Sequence, residues 1–258
     1  MPRISHLSNK LYYEKYGSAE KVLILFHGFG QNLDVLRPIA EANPDEYTYY
    51  LFDDPYHGQS SREDSELTLA EWAELFQKFL SVEDIHRFSI GGYSLGGRFA
   101  LATSYSFTEQ IDKLFLIAPD GIYKNRWYKL GTGPGKLTFK HLMKNPSIFF
   151  KVLDKMDEKK WVHPSLSKFA SQELGPKENR IRVYQSWVYL KPLGIKKSSL
   201  VKKFNEHQLC IEVLLGSKDN IIPPKRLIPM FNKISSATVV IKPLKHHHLV
   251  EEMVDWIK

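Results

Sequence analysis

Six short apolar runs recur along the chain, each long enough for a buried strand and too short for a helix. They are residues 21–26 (KVLILF), 48–53 (TYYLFD), 88–93 (FSIGGY), 113–118 (KLFLIA), 210–216 (CIEVLLG) and 238–244 (TVVIKPL). Continuous apolarity with β-branched and aromatic content, rather than strict alternation, predicts strands covered on both faces, as in a parallel sheet. Between them, apolar positions recur at helical spacing over residues 33–42, 68–80, 95–105, 224–232 and 249–257. Thr68 followed by Glu71 predicts a capping box at the start of the second of these helices. Strands alternating with helices predict an α/β architecture, a mostly parallel central sheet flanked by helices. Functional groups in such sheets gather at the carboxyl ends of the strands.

The alternation breaks once. Residues 121–206 contain no clear strand run, and Gly131, Gly133, Pro134, Gly135, Pro146, Pro164 and Pro176 punctuate helix-like pieces. The expected organisation is a core of residues 1–120 and 207–258 with a helical cap inserted at 121–206, over the carboxyl edge of the sheet. Charge follows the same division. The inserted segment holds 19 of the 36 Lys and Arg residues but only 6 of the 29 Asp and Glu, a net +13, while the remainder nets −6. Lysine faces of a solvated cap would account for this. So would a field that draws in an anionic small-molecule substrate, such as a carboxylate, a phosphate or a coenzyme A thioester, with Lys196, Lys197, Lys202 and Lys203 the candidates to test. No recognised nucleic-acid-binding element accompanies the basic residues, so no nucleic-acid partner is expected.

Composition narrows the class further. With 43% hydrophobic and 25% charged residues the chain reads as an ordinary globular protein, monomeric or homodimeric. No stretch approaches 18 consecutive apolar residues, so no integral membrane segment is expected. The opening MPRISHLSNKLYYEKYG lacks a signal-peptide apolar core, which points to a cytoplasmic location. The single Cys210 excludes an internal disulfide and, inside an apolar run, is expected to be buried and inert.

Each strand end carries something chemically useful. HGFGQN (residues 27–32) follows the first run, and its glycines allow backbone amides to turn toward a ligand. DDPYHGQS (53–60) follows the second, and GYSLGG, centred on Ser94, follows the third at a strand-to-helix turn. Asp219 follows the fifth, and His246, His247 and His248 stand just before the last helix. Asp120 follows the fourth, where a turn residue before Gly121 is the plainer reading. His27 and His57 read as loop-shaping side chains, and Asp53 and Asp54 as turn caps.

Ser94 in GYSLG resembles the G-x-S-x-G elbow of the α/β-hydrolase fold superfamily, and the chain order Ser, Asp, His is similar to that family's triad. HGFG and DDPYHGQS resemble its oxyanion-loop and D-x-x-G-H-G-x-S-like segments, with Tyr56 where the family commonly has Gly. The resemblance implies a serine hydrolase that cleaves a carboxylic ester or thioester through an acyl-serine, with neither cofactor nor metal. It implies Ser94 as nucleophile, Asp219 as acid with Asp120 the alternative, and His247 as base with His248 next and His246 last. Backbone N–H groups of Phe29 and Leu95 would form the oxyanion hole, and Gly28, Tyr93 and Arg98 would line the substrate site. GYSLGGR also resembles the elbow of the menaquinone-pathway lyase of this fold, where the equivalent arginine approaches a substrate carboxylate. IAPDGIYKNRW departs from that enzyme downstream, leaving a cofactor-free lyase as a second reading and a non-catalytic ligand-binding protein as a third.

Overall fold

The computed structural model describes residues 3–6, 9–123, 126–161 and 175–257, with the backbone alone at 126 and 127. The chain divides into two compact units. The first comprises Met1–Glu63, Leu67–Tyr123 and Pro192–Lys258, and the second Asp64–Glu66 and Lys124–Lys191. In chain order the first unit contributes β1 (Arg3–His6), β2 (Asn9–Tyr16), β3 (Val22–Phe26), α1 (Arg37–Ala42), β4 (Thr48–Phe52), β5 (Ser61–Arg62), α2 (Leu69–Val82), β6 (Phe88–Tyr93), α3 (Leu95–Ser106) and β7 (Ile111–Ile117). The second unit follows with α4 (Arg126–Gly131), α5 (Lys136–Lys144), α6 (Pro146–Glu158) and α7 (Lys177–Tyr184). The first unit resumes with α8 (Lys197–Glu206), β8 (Cys210–Gly216), α9 (Ile228–Phe231), β9 (Ala237–Lys242) and α10 (Leu249–Trp256).

The sheet runs β1-β2-β4-β3-β6-β7-β8-β9, with β5 pairing off this path on β2. The six runs predicted as strands form its parallel part, from β4 to β9. Every residue of β4 and β6 is buried, as continuous apolar runs require when both faces are covered. Helix α3 is buried from Leu95 to Ser104, so its apolar content is not confined to one stripe. The capping box forms: Thr68 Oγ1 accepts from Glu71 N (3.2 Å) and Glu71 accepts from Thr68 N (2.8 Å).

Several expectations are corrected. Strands β1, β2 and β5 were not foreseen; they pair antiparallel at one edge of the sheet, where Lys10 and Lys15 face solvent and NKLYYEKY shows no continuous apolar run. The helices expected at 33–42 and 224–232 each begin as a 3₁₀ turn, Leu33–Leu36 and Pro224–Arg226. Cys210 is exposed, because it opens β8 opposite Lys113 before the strand enters the core. The predicted insertion also reached too far, since α8 belongs to the first unit, anchored by buried Leu200 and Phe204 and by Lys203 over the Tyr105 ring. Lys196, Lys197 and Lys202 are therefore core-unit lysines.

All regular structure described in the second unit is helical. Phe139 stacks on Trp187 (centroids 5.4 Å apart) and meets Tyr184 (5.8 Å). Buried Arg180 donates to the carbonyls of Met143 (3.1 Å) and Gly175 (2.5 Å), crosslinking the chain between helices. Residues 162–174 of the expected insertion, Pro164 among them, lie outside the described residues.

Candidate active site

Ser94 occupies the turn between β6 and α3 with φ 51° and ψ −112°, a left-handed conformation costly for a non-glycine residue. Its surroundings over-determine that geometry. Ser94 N donates to Ile117 O (2.9 Å), while its carbonyl accepts from Gly97 N (3.0 Å) and Asp120 N (2.8 Å). The flanking glycines are there for close approach. A Cβ on Gly92 would sit 2.3 Å from the Gly96 backbone, and one on Gly96 would sit 2.4 Å from Phe26 O. No side chain fits either position, so the chain can tuck under the serine and project its hydroxyl from the sheet.

Three side chains from three loops meet there. His246 Nε2 lies 2.9 Å from Ser94 Oγ, and His246 Nδ1 lies 2.6 Å from Asp219 Oδ2. The other Asp219 oxygen accepts from the amides of Ile221 and Ile222, both at 2.8 Å. A carboxylate held this way only accepts, so the Nδ1 proton points at Asp219 and Nε2 faces the Ser94 hydroxyl as an acceptor. Asp219 and His246 are nearly inaccessible to solvent, at 2% and 9% exposure.

This corrects the choice among the three histidines. His246–His248 form a 3₁₀ turn leading into α10. With three residues per turn, positions i and i+3 share a face. His246 and Leu249 are both buried, whereas His247 and His248 are exposed and lie against one another at 4.0 Å between centroids. Counting back three residues from the buried Leu249 selects His246 as the histidine that turns inward, whereas the apolar pair after HHH taken by resemblance alone favours His247.

Asp120 does not approach this cluster's histidine. It pairs with Arg98, whose side chain is buried, and accepts from Gly121 N (2.6 Å). Arg98 is thus engaged within the protein rather than presented to a ligand. The other two residues expected to line the substrate site are engaged likewise. Tyr93 is 4% exposed; its hydroxyl donates to the His246 carbonyl (3.0 Å) and its ring lies 5.3 Å from the imidazole. Gly28 N donates to Gln31 Oε1 (2.9 Å) and Gly28 O accepts from Gln31 N (3.3 Å). The Tyr93 ring lies within 2.7 Å of where a Gly28 side chain would begin.

The amides of Phe29 and Leu95 differ: neither meets a hydrogen-bond acceptor among the described residues. The loop that carries Phe29 is held from behind. His27 Nδ1 donates to Gly28 O (2.7 Å) and its Nε2 accepts from Asp54 N (3.0 Å), fixing a neutral tautomer. Asp53 accepts from the amides of Leu33 (2.8 Å) and Gln59 (2.6 Å), tying the first two strand-end loops together. The His57 ring meets those of His27 and Phe29 edge-on, at 5.4 and 5.5 Å. Tyr56, standing where the resemblance has Gly, adopts φ 70°.

Comparison with known proteins bears on the fold that carries these residues. The family model described as the alpha/beta hydrolase fold matches residues 21–252. Over 118 residues the chain is 29% identical to a pimeloyl-[acyl-carrier protein] methyl ester esterase of Salmonella newport, covering 46% of this chain and 44% of that one. Over 114 residues it is 35% identical to the dihydrolipoyllysine-residue acetyltransferase component of an acetoin cleaving system from Cupriavidus necator, covering 43% and 29%. The first curated relatives, uncharacterized mycobacterial proteins, are matched over only 30% of their length. A thermophilic esterase from Thermogutta terrifontis superposes with a TM-score of 0.71 over 99% of this chain and 96% of that one, at 18% identity. The enol-lactonase from Burkholderia xenovorans does so with 0.71 over 99% of both chains, at 15% identity. Among the described residues no helix is long and apolar enough to cross a membrane. A family match running from β3 into α10, on a sheet with a serine elbow at its centre, establishes that the chain belongs to the alpha/beta hydrolase fold family.

Proposed function

We propose that the protein is a serine hydrolase acting on a carboxylic ester or thioester through an acyl-serine intermediate. The observation that carries this reading is the unbroken relay Ser94 Oγ–His246 Nε2–His246 Nδ1–Asp219 Oδ2. In the first half-reaction His246 Nε2 takes the hydroxyl proton as Ser94 Oγ attacks the substrate carbonyl carbon. The developing oxyanion lies against the N–H groups of Phe29 and Leu95, the latter opening α3 where the helix dipole adds to the attraction. Collapse of the tetrahedral species breaks the C–O or C–S bond, and His246 returns the proton to the departing alkoxide or thiolate. Water then enters, loses a proton to His246 and attacks the acyl carbon; the Ser94 Oγ–acyl bond breaks, the acid leaves, and His246 returns the proton to Ser94 Oγ. Asp219 holds the imidazole in the tautomer each step needs and stabilises the imidazolium between steps.

Tyr93 acts here as a positioning residue, through its hydrogen bond to the backbone that carries His246. Tyr93→Phe removes that bond alone, and a lost neutral hydrogen bond is worth about 1 kcal/mol. The expected result is a roughly five-fold lower kcat for an activated ester with KM nearly unchanged. Equal losses in both constants, or none, would remove this role.

The esterase and enol-lactonase named above support an acyl substrate without identifying it. The lyase reading depends on Arg98 reaching a substrate carboxylate, and the pairing of Arg98 with Asp120 argues against it. The test is covalent labelling by a fluorophosphonate followed by peptide mapping. Modification confined to Ser94, abolished in Ser94→Ala, is expected. A folded sample that does not react, or reacts elsewhere, would sink the proposal.

A further inference from the structure

Large apolar side chains left exposed are unevenly distributed between the two units. Among the described residues six of the eight, Leu130, Leu137, Ile148, Val152, Trp161 and Ile181, belong to the second unit, little more than a quarter of the chain. They are not scattered within it. On α6 the positions Ile148, Lys151, Val152 and Lys155, continued by Lys159 at its C-cap, are spaced by three and four residues, fall on one face, and are all exposed. Asp157 falls on the opposite side and Leu153 is buried on another face, while exposed Asp154 and Glu158 border the stripe beside Lys151. Helix α5 repeats the pattern with Leu137, Lys140, His141 and Lys144, again all exposed. Just past α6, exposed Trp161 lies under Lys159, whose Nζ is 4.9 Å from the ring centroid.

A face that only meets water has no use for Leu137 at 80% exposure or Trp161 at 61%. A face that meets another protein is enriched in Arg and depleted in Lys, yet residues 136–160 hold seven lysines and no arginine. Lysines interleaved with aliphatic and indole side chains on short amphipathic helices suit a lipid headgroup layer: the apolar groups enter the acyl boundary while the ammonium groups reach anionic phosphates. We infer that the α5 and α6 stripes of the second unit form a docking surface for an anionic lipid bilayer. The association is peripheral and reversible, because two short stripes bury little apolar area and the rest of its strength is electrostatic.

Flotation of the full chain with vesicles tests this. The protein is expected to float with phosphatidylglycerol vesicles at low salt, to be released at high salt, and to stay behind with pure phosphatidylcholine. Lys151→Gln, Lys155→Gln and Lys159→Gln together are expected to weaken partitioning on the order of 100-fold. Leu137→Ser, Ile148→Ser and Val152→Ser are expected to weaken it with the salt dependence retained. Unchanged thermal melting in both variants keeps a folding defect from mimicking either result, and neither variant touches the serine site. Absence of flotation with phosphatidylglycerol, or equal flotation with phosphatidylcholine, would overturn the inference. A dimer dissolved by the serine substitutions would overturn it in favour of a second copy. Salt-sensitive binding to polyglutamate without vesicle binding would do so in favour of an acidic protein.

Discussion

His246→Ala is expected to lower kcat/KM for an activated ester by about 10⁴-fold or more, whereas His247→Ala and His248→Ala leave it within about two-fold. The asymmetry follows from a single turn of chain. Among the described residues only His246 stands within hydrogen-bond distance of both Ser94 and Asp219, and neither His247 nor His248 can replace it without rotating the 3₁₀ turn and lifting Leu249 out of the core. The residual rate should be that of an oxyanion hole without a base. Labelling of Ser94 by the fluorophosphonate should slow in parallel, because phosphonylation also needs the serine proton removed. Steady-state kinetics on the three single variants settle the matter. Full activity in His246→Ala, or its loss in His247→Ala, would return the base to the residue the resemblance favoured. Asp219→Asn belongs with His246→Ala and Asp120→Asn with the silent pair, since Asp120 holds Arg98 and not an imidazole.

The parts of this molecule legible in the sequence were those that depend on one residue's own preferences or on short runs. VLILF and FSIGGY could only be buried strands, and Gly92, Ser94 and Gly96 could only be a tight elbow. Thr68 and Glu71 announced the start of α2. What stayed hidden depends on partners distant in sequence. Arg98 beside a serine elbow reads either as a ligand contact or as a helix residue paired with a carboxylate, and the choice is legible only once Asp120, 22 residues on, is folded against it. Tyr93 looks like a pocket wall until a hydroxyl-to-carbonyl bond spanning 153 residues ties it to His246. Edge strands β1 and β2 lacked the continuous apolarity that marks the centre of the sheet, since one of their faces is partly wet. Cys210 is exposed despite its apolar neighbours because they describe a strand's middle, not its first residue.

The same loops hold a carboxyl group that the proposed mechanism does not use, and it gives the second large expected effect. Asp54 is completely buried, and among the described residues neither carboxyl oxygen has a hydrogen-bond donor. Burial first, and the adjacent Asp53 charge second, push its pKa well above the usual carboxylate range. Of the groups around it, His27 Nδ1 comes within 4.0 Å of Asp54 Oδ2, but its proton is directed at Gly28 O. The folded protein therefore binds a proton at Asp54 that the unfolded chain releases above about pH 4. Where the native state binds more protons, stability falls as pH rises, by about 1.4 kcal/mol per pH unit for one group. The loss begins near the unfolded value and levels off once Asp54 ionises in the folded state. Asp54→Asn keeps the shape and removes the titration, so its stability relative to the wild type is expected to climb by that slope from pH 5 upward. Denaturant melts of both proteins at successive pH values measure the difference directly. The amide's own unpaired donors can shift the Asn curve up or down as a whole, but only an ionisable Asp54 makes the two curves diverge. Parallel curves would mean that water or a rearranged His27 already neutralises the group. Divergence would mean that Asp54 is protonated in the folded protein and charged in the unfolded chain, a proton held directly behind the loop that carries Phe29.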